Sequence, residues 1–102
     1  MPDISDSELA ELLAEAGSRH HAAYVQTDGF DPEWPLFYAG YVQTRLWDRL
    51  GVLLTRSELV HVIVSADLAM RTGAETGDWP PVYAQRLRAF ASEKLARNSP
   101  SS

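Results

Sequence analysis

The chain has 102 residues, 45% of them hydrophobic and 23% charged, a balance that fits one globular domain burying roughly 65% of the surface its unfolded form exposes. The net charge is −5 and Lys94 is the single lysine among nine basic residues, so no basic stripe exists to neutralise a phosphate backbone and no nucleic-acid partner is expected. The lack of cysteine excludes a disulfide framework and a thiolate metal site.

The opening MPDISDSELAELL is acidic and helix-like, without the basic and then apolar order of a signal peptide, and no apolar run reaches membrane-spanning length. A cytoplasmic protein without membrane association is therefore expected. Ser5 and Glu8 have capping-box spacing, and Leu9, Leu12, Leu13, Ala16, His20, Ala23 and Tyr24 then form one stripe, which predicts a first helix over about residues 6–27. Gly29 supplies a turn, and Asp31 followed by Pro32 opens a second helix over about 32–50, with Gly51 as its C-terminal cap.

Thr55 and Glu58 repeat the capping box and start a third helix over about 56–72, ending at Gly73. The β-branched VHVIV segment inside it suits a strand, but Leu59, Val62, Ile63, Ala66 and Met70 have helix period, so the helix is preferred. A fourth helix over about 79–97 opens at Asp78 with Pro80 and Pro81 in its first turn, and buries Tyr83, Leu87, Phe90 and Ala91. Residues 98–102 are expected to be a disordered tail.

WPLFYA at 34–39 matches WPPVYA at 79–84 in all but two positions, and SELAELLAEA at 7–16 resembles SELVHVIVSA at 57–66. Each half thus reads as a helix, an acidic glycine-containing loop and a WPxxYA helix. A duplicated helical hairpin accounts for this; so does independent use of common start chemistry. Either way the expected architecture is all-α, a four-helix up-down-up-down bundle in one domain spanning 1–97, because short connections join antiparallel neighbours.

In such a bundle the loops after helices one and three share an end, which gathers Asp28, Asp31, Glu33, Glu75 and Asp78 beside Trp34 and Trp79. Carboxylates on loops are what a hard cation seeks. DGFDPE nevertheless lacks the EF-hand ligand order, and Asp31 and Asp78 are already helix caps, so these five are weak candidates and neither a metal nor another cofactor is expected. His20 and His21 sit just below this end, and histidine is the side chain suited to moving protons near neutral pH. With Tyr24 and Tyr38 they are the catalytic candidates, served by Asp28, Asp31 or Asp67. As neighbours on a helix the two histidines point about a quarter-turn apart and cannot jointly hold one ion. His20 lies on the apolar stripe and reads as a core histidine bonded to Asp67 or a tyrosine.

Trp34, Tyr38, Tyr41 and Trp79 are the ligand-binding candidates, offering stacking area with polar tips. Helix two is apolar on a second side as well. Leu36, Gly40, Gln43 and Trp47 have i, i+4, i+7 and i+11 spacing, which predicts an interface for a symmetric homodimer. No GxSxG, Walker, HExxH or GxGxxG pattern is present, and the stretch TRSELVHVIVSADLAMRTG lacks a basic recognition helix. The reading that results is a non-catalytic helical module that self-associates and binds a protein partner or a small ligand. The alternative is a small enzyme or ligand-binding protein with its site at the acidic, aromatic end, using His20 or His21.

Overall fold

The structure, a computed structural model, describes residues 4–25 and 31–98. The Gly29 turn, Asp28 and the tail beyond residue 98 lie outside them. Four helices follow in order: α1 (Asp6–Ala23), α2 (Trp34–Leu46), α3 (Arg56–Arg71) and α4 (Trp79–Asn98).

Both capping boxes form. The Ser5 hydroxyl accepts the Glu8 N–H and the Glu8 carboxylate accepts the Ser5 N–H, each at 3.1 Å; Thr55 and Glu58 repeat this at 3.1 and 2.8 Å. Both arrangements satisfy backbone donors that the first helical turn leaves orphaned. At the second box Lys94 Nζ also reaches Glu58 at 2.7 Å and the Leu53 carbonyl at 2.8 Å, so α4 ties down the entry to α3. The Lys94 hydrogen bond, followed by the Thr55 N–H, holds the Glu58 carboxyl below its ordinary range. Thr55→Ala is expected to cost about 1 kcal/mol, read as a lowered thermal midpoint with the helical signal below it unchanged.

VHVIV is helical. Leu59, Val62, Ile63, Ala66 and Ala69 of α3 are buried, and Gly73, at φ 81°, supplies the left-handed residue that stops the helix. Three boundaries differ from the sequence expectation, the first being the end of α1, which stops at Ala23 and not near residue 27 because Tyr24, at φ −115° and ψ 27°, leaves the helical conformation. The α2 helix starts at Trp34 with Pro35 in its first turn, because Asp31 Oδ1 accepts the Glu33 N–H at 2.9 Å and turns the chain before the helix begins. It ends at Leu46, not near residue 50, since Trp47 takes φ 46° and ψ −123°, outside any helical conformation. This break frees the Arg49 carbonyl to accept the N–H of Ile4 at 3.2 Å. The short segment after it buries Leu50 and Leu54.

Each helix packs on its two neighbours in the ring α1, α2, α3, α4. Antiparallel order is fixed by pairs such as Ile4 with Arg49 and His20 with Phe37 between α1 and α2. Glu58 with Lys94 and Asp67 with Tyr83 do the same between α3 and α4; Asp6 with Arg88 links α1 to α4. This is the expected up-down-up-down bundle. Its centre is formed by Leu9, Leu13, Val42, Leu46, Leu59, Ile63 and Leu87, all fully buried. The ends of α1 and α3 and the starts of α2 and α4 meet at one end.

Candidate functional site

At that end the two WPxxYA segments face each other. Tryptophan at the first position and tyrosine four residues on lie one turn apart on the same helix face, so each helix start carries a Trp–Tyr pair. The Trp34 and Tyr38 centroids are 5.4 Å apart at 85°, and those of Trp79 and Tyr83 are 5.1 Å apart at 67°. Tyr38 and Trp79 join the pairs at 5.9 Å and 70°. Edge-to-face contact suits the ring quadrupoles, and it stands successive rings at steep angles like the walls of a box.

Met70 and Asp67 of α3 complete a cavity of about 390 Å³ between α2, α3 and α4. Asp67 is held from two sides: Arg71 Nε, one turn on, lies 2.8 Å from Oδ2, and the Tyr83 hydroxyl donates to Oδ1 at 3.5 Å. Burial raises the Tyr38 phenol above its usual value. Tyr83 is raised further, by burial first and by the Asp67 charge second, so both tyrosines are neutral donors near pH 7.

The two halves are not equivalent here. By the alignment of α1 with α3, Asp67 corresponds to Gly17, and a Cβ at Gly17 would lie 3.0 Å from the Trp79 ring and 3.2 Å from the Tyr38 hydroxyl. Gly17 thus lets the aromatic row close on α1, while on the α3 side Asp67 leaves room for the cavity. Gly17→Leu should push Trp79 and Tyr38 apart at a cost of about 1–3 kcal/mol, displacing the Trp79 indole N–H resonance while that of Trp47, at the opposite end, stays put.

Behind Tyr38 lies a second group. His20 is buried, its Nε2 3.1 Å from Asp31 Oδ2, and both side chains are less than a tenth exposed. Its ring stacks on Tyr24 at 4.8 Å and meets Phe37 and Tyr38 at 5.1 and 5.5 Å. The expected core histidine is therefore present, but its carboxylate partner is Asp31 and not Asp67. Asp67 lies on α3, diagonal to α1 across the bundle, where it serves Tyr83. His21, the next residue along α1, is exposed.

Of the ligand-binding candidates, Trp34, Tyr38 and Trp79 line the cavity. Tyr41 does not: its hydroxyl donates to Glu15 on α1, and the Arg45 guanidinium sits 3.6 Å over its ring. Tyr83 and Met70 are not among the sequence candidates, and Asp67 enters there only as a partner for a histidine; the repeat carries the signal for Tyr83, as the counterpart of Tyr38. The described acidic candidates do not converge. Asp31 is taken by His20 and the Glu33 N–H, Glu75 lies 3.6 Å from Arg86, and Glu33 and Asp78 are exposed. Among the described residues no group of three or more histidines and carboxylates is placed to hold a metal.

The interface candidates fall into two sets. Leu36 and Trp47 are 50% and 62% exposed, whereas Gly40 lies under the Arg56 guanidinium and Gln43 Nε2 donates to the Leu54 carbonyl at 3.3 Å. Fold and site together define an all-helical bundle with an aromatic pocket at one end, and no helix among the described residues is long and apolar enough to cross a membrane. In comparisons with known proteins the chain matches no family model, no curated protein and no solved structure.

Proposed function

We propose that the protein is a non-catalytic binding module whose ligand site is the pocket formed by the two Trp–Tyr pairs. The observation that carries this is the cavity of about 390 Å³ walled by Trp34, Tyr38, Trp79, Tyr83, Met70 and Asp67. Mostly aromatic lining with one charged group and two hydroxyls is the usual make-up of a small-molecule site. The histidine best placed for catalysis, His20, spends its Nε2 on Asp31 and is enclosed by three rings, which favours binding over proton transfer.

The three tryptophans provide the test, because Trp34 and Trp79 line the pocket and Trp47 sits at the far end. In a fragment screen read by the indole N–H resonances, ligands of the pocket move the Trp34 and Trp79 signals and leave Trp47 unchanged, and Trp79→Ala abolishes the effect. A screen in which no compound moves Trp34 or Trp79, or in which Trp79→Ala changes nothing, overturns this reading.

A second reading, which the first does not need, is that two copies pair through the exposed apolar side chains of α2 and α3. Leu36, in the first turn of α2, and Trp47, just past its end, are joined in exposure by Val64 and Leu68 of α3, at 43% and 59%, and covering exposed apolar side chains favours association. Sedimentation is expected to show a dimer that Leu36→Glu or Trp47→Glu converts to a folded monomer. A native chain that sediments as a monomer at high concentration removes the dimer.

A further inference from the structure

We propose that the ligand of the aromatic pocket is an organic cation, a quaternary or protonated amine whose charged head lies among the Trp34, Tyr38, Trp79 and Tyr83 rings with Asp67 as its counter-charge. This rests on the pocket being the ligand site.

The faces of aromatic rings carry negative potential, and a cation within about 6 Å of them is attracted, most strongly by tryptophan and more so when water is excluded. Rings stacked flat on one another would hide those faces. Here successive rings meet edge to face, at 85°, 70° and 67°, so each contact covers a face of one ring and not of both. Tetrahedral alkylammonium heads offer apolar methyl or methylene groups on all sides, which such walls cover at little desolvation cost. An anion would face the same ring potential with the opposite sign.

The charged groups agree. Among the described residues Asp67 is the single ionised side chain lining the cavity, and with both tyrosines protonated it is the one negative charge they place there. The groove between α3 and α4, by contrast, is lined by Arg86 and Glu93 together with His61 and has no single sign. At this end of the bundle Glu33 and Asp78 are exposed, Glu75 being paired with Arg86, and the chain carries a net charge of −5, which draws cations towards it.

Arg71 shares the Asp67 carboxylate with any cation in the pocket. It holds Asp67 Oδ2 from the outside, and its own side chain is 70% exposed. It therefore orients the carboxylate while competing with a bound cation for the charge. Removing Arg71 should strengthen the binding of a cation and leave that of a neutral ligand of the same shape unchanged.

The experiment compares choline with dimethylbutanol, its uncharged carbon analogue, by titration against the Trp34 and Trp79 indole resonances of the full chain. Choline is expected to bind about tenfold more tightly than the alcohol. Asp67→Asn should remove about that factor for choline alone, and Arg71→Gln should improve choline binding about threefold, with circular dichroism confirming that both variants stay folded. Equal affinities for choline and the alcohol overturn the cation inference while leaving the pocket reading intact. Binding of neither, or weaker choline binding in Arg71→Gln, overturns it as well. The fragment screen decides separately whether the pocket binds ligands at all.

Discussion

Leu87→Asp is expected to abolish cooperative unfolding of the domain. Leu87 is fully buried on α4, in the same core as Leu9, Leu46 and Ile63, so the substitution deletes packed methyl groups and places a carboxylate in an apolar cluster. Loss of a buried leucine alone costs about 2–5 kcal/mol, and an unpaired buried carboxylate adds several more unless it takes up a proton. A domain of this size has about 5–15 kcal/mol in total. Leu46→Asp, on α2, should behave alike. Leu95→Asp, eight residues further along α4 where the side chain is 39% exposed, should melt near the native midpoint. Protonation gives an internal check: burial raises the pKa of the new carboxyl, so the deficit of Leu87→Asp relative to the native chain should shrink as pH falls towards about 4. Retained cooperative melting of Leu87→Asp at neutral pH would show that this face of α4 is not the core.

The core was legible from the chain because it depends on periodicity and caps, which are local. Of the first stripe, Leu9, Leu13, Ala16 and His20 are buried, Leu12 and Tyr24 half-buried and Ala23 exposed, and the helix period of Leu59, Val62, Ile63 and Ala66 prevailed over the β-branched composition of VHVIV because packing outweighs intrinsic propensity. The end of α2 was not legible. Gly51 is the obvious stop, but the helix breaks at Trp47, a residue type that disfavours φ 46°, and the compensation lies in the Ile4 contact to Arg49 and in burial of Leu50 and Leu54. Those are long-range effects that no window around Trp47 contains.

The site divides in the same way. The match between WPLFYA and WPPVYA put two Trp–Tyr pairs at one end, and the antiparallel order brought them together. What the repeat hid was its own failure, at Gly17 against Asp67, which makes one side of the aromatic row closed and the other a pocket. Tyr41 looked like a further wall because it shares helix two with Tyr38; three residues on, it faces Glu15 of α1 instead.

His20 and Asp31 form a pair whose strength comes from burial, and Asp31→Ala is expected to cost about 3 kcal/mol. The carboxylate has two tasks there: Oδ2 meets His20 Nε2 at 3.1 Å, and Oδ1 accepts the Glu33 N–H that turns the chain into α2. Its removal leaves a ring nitrogen unpaired among Tyr24, Phe37 and Tyr38, where water is largely excluded, and an unsatisfied buried polar group costs more than the bond itself contributed. A double-mutant cycle separates the two tasks. His20→Phe keeps a ring against Tyr24 and Phe37 but has no nitrogen to satisfy, so Asp31→Ala in that background should lose only the turn contribution, about 1 kcal/mol. The difference between the two costs, measured by denaturant unfolding with matched slopes, is the worth of the pair. If Asp31→Ala costs the same in both backgrounds, the His20 contact contributes nothing, and Asp31 serves only to start α2.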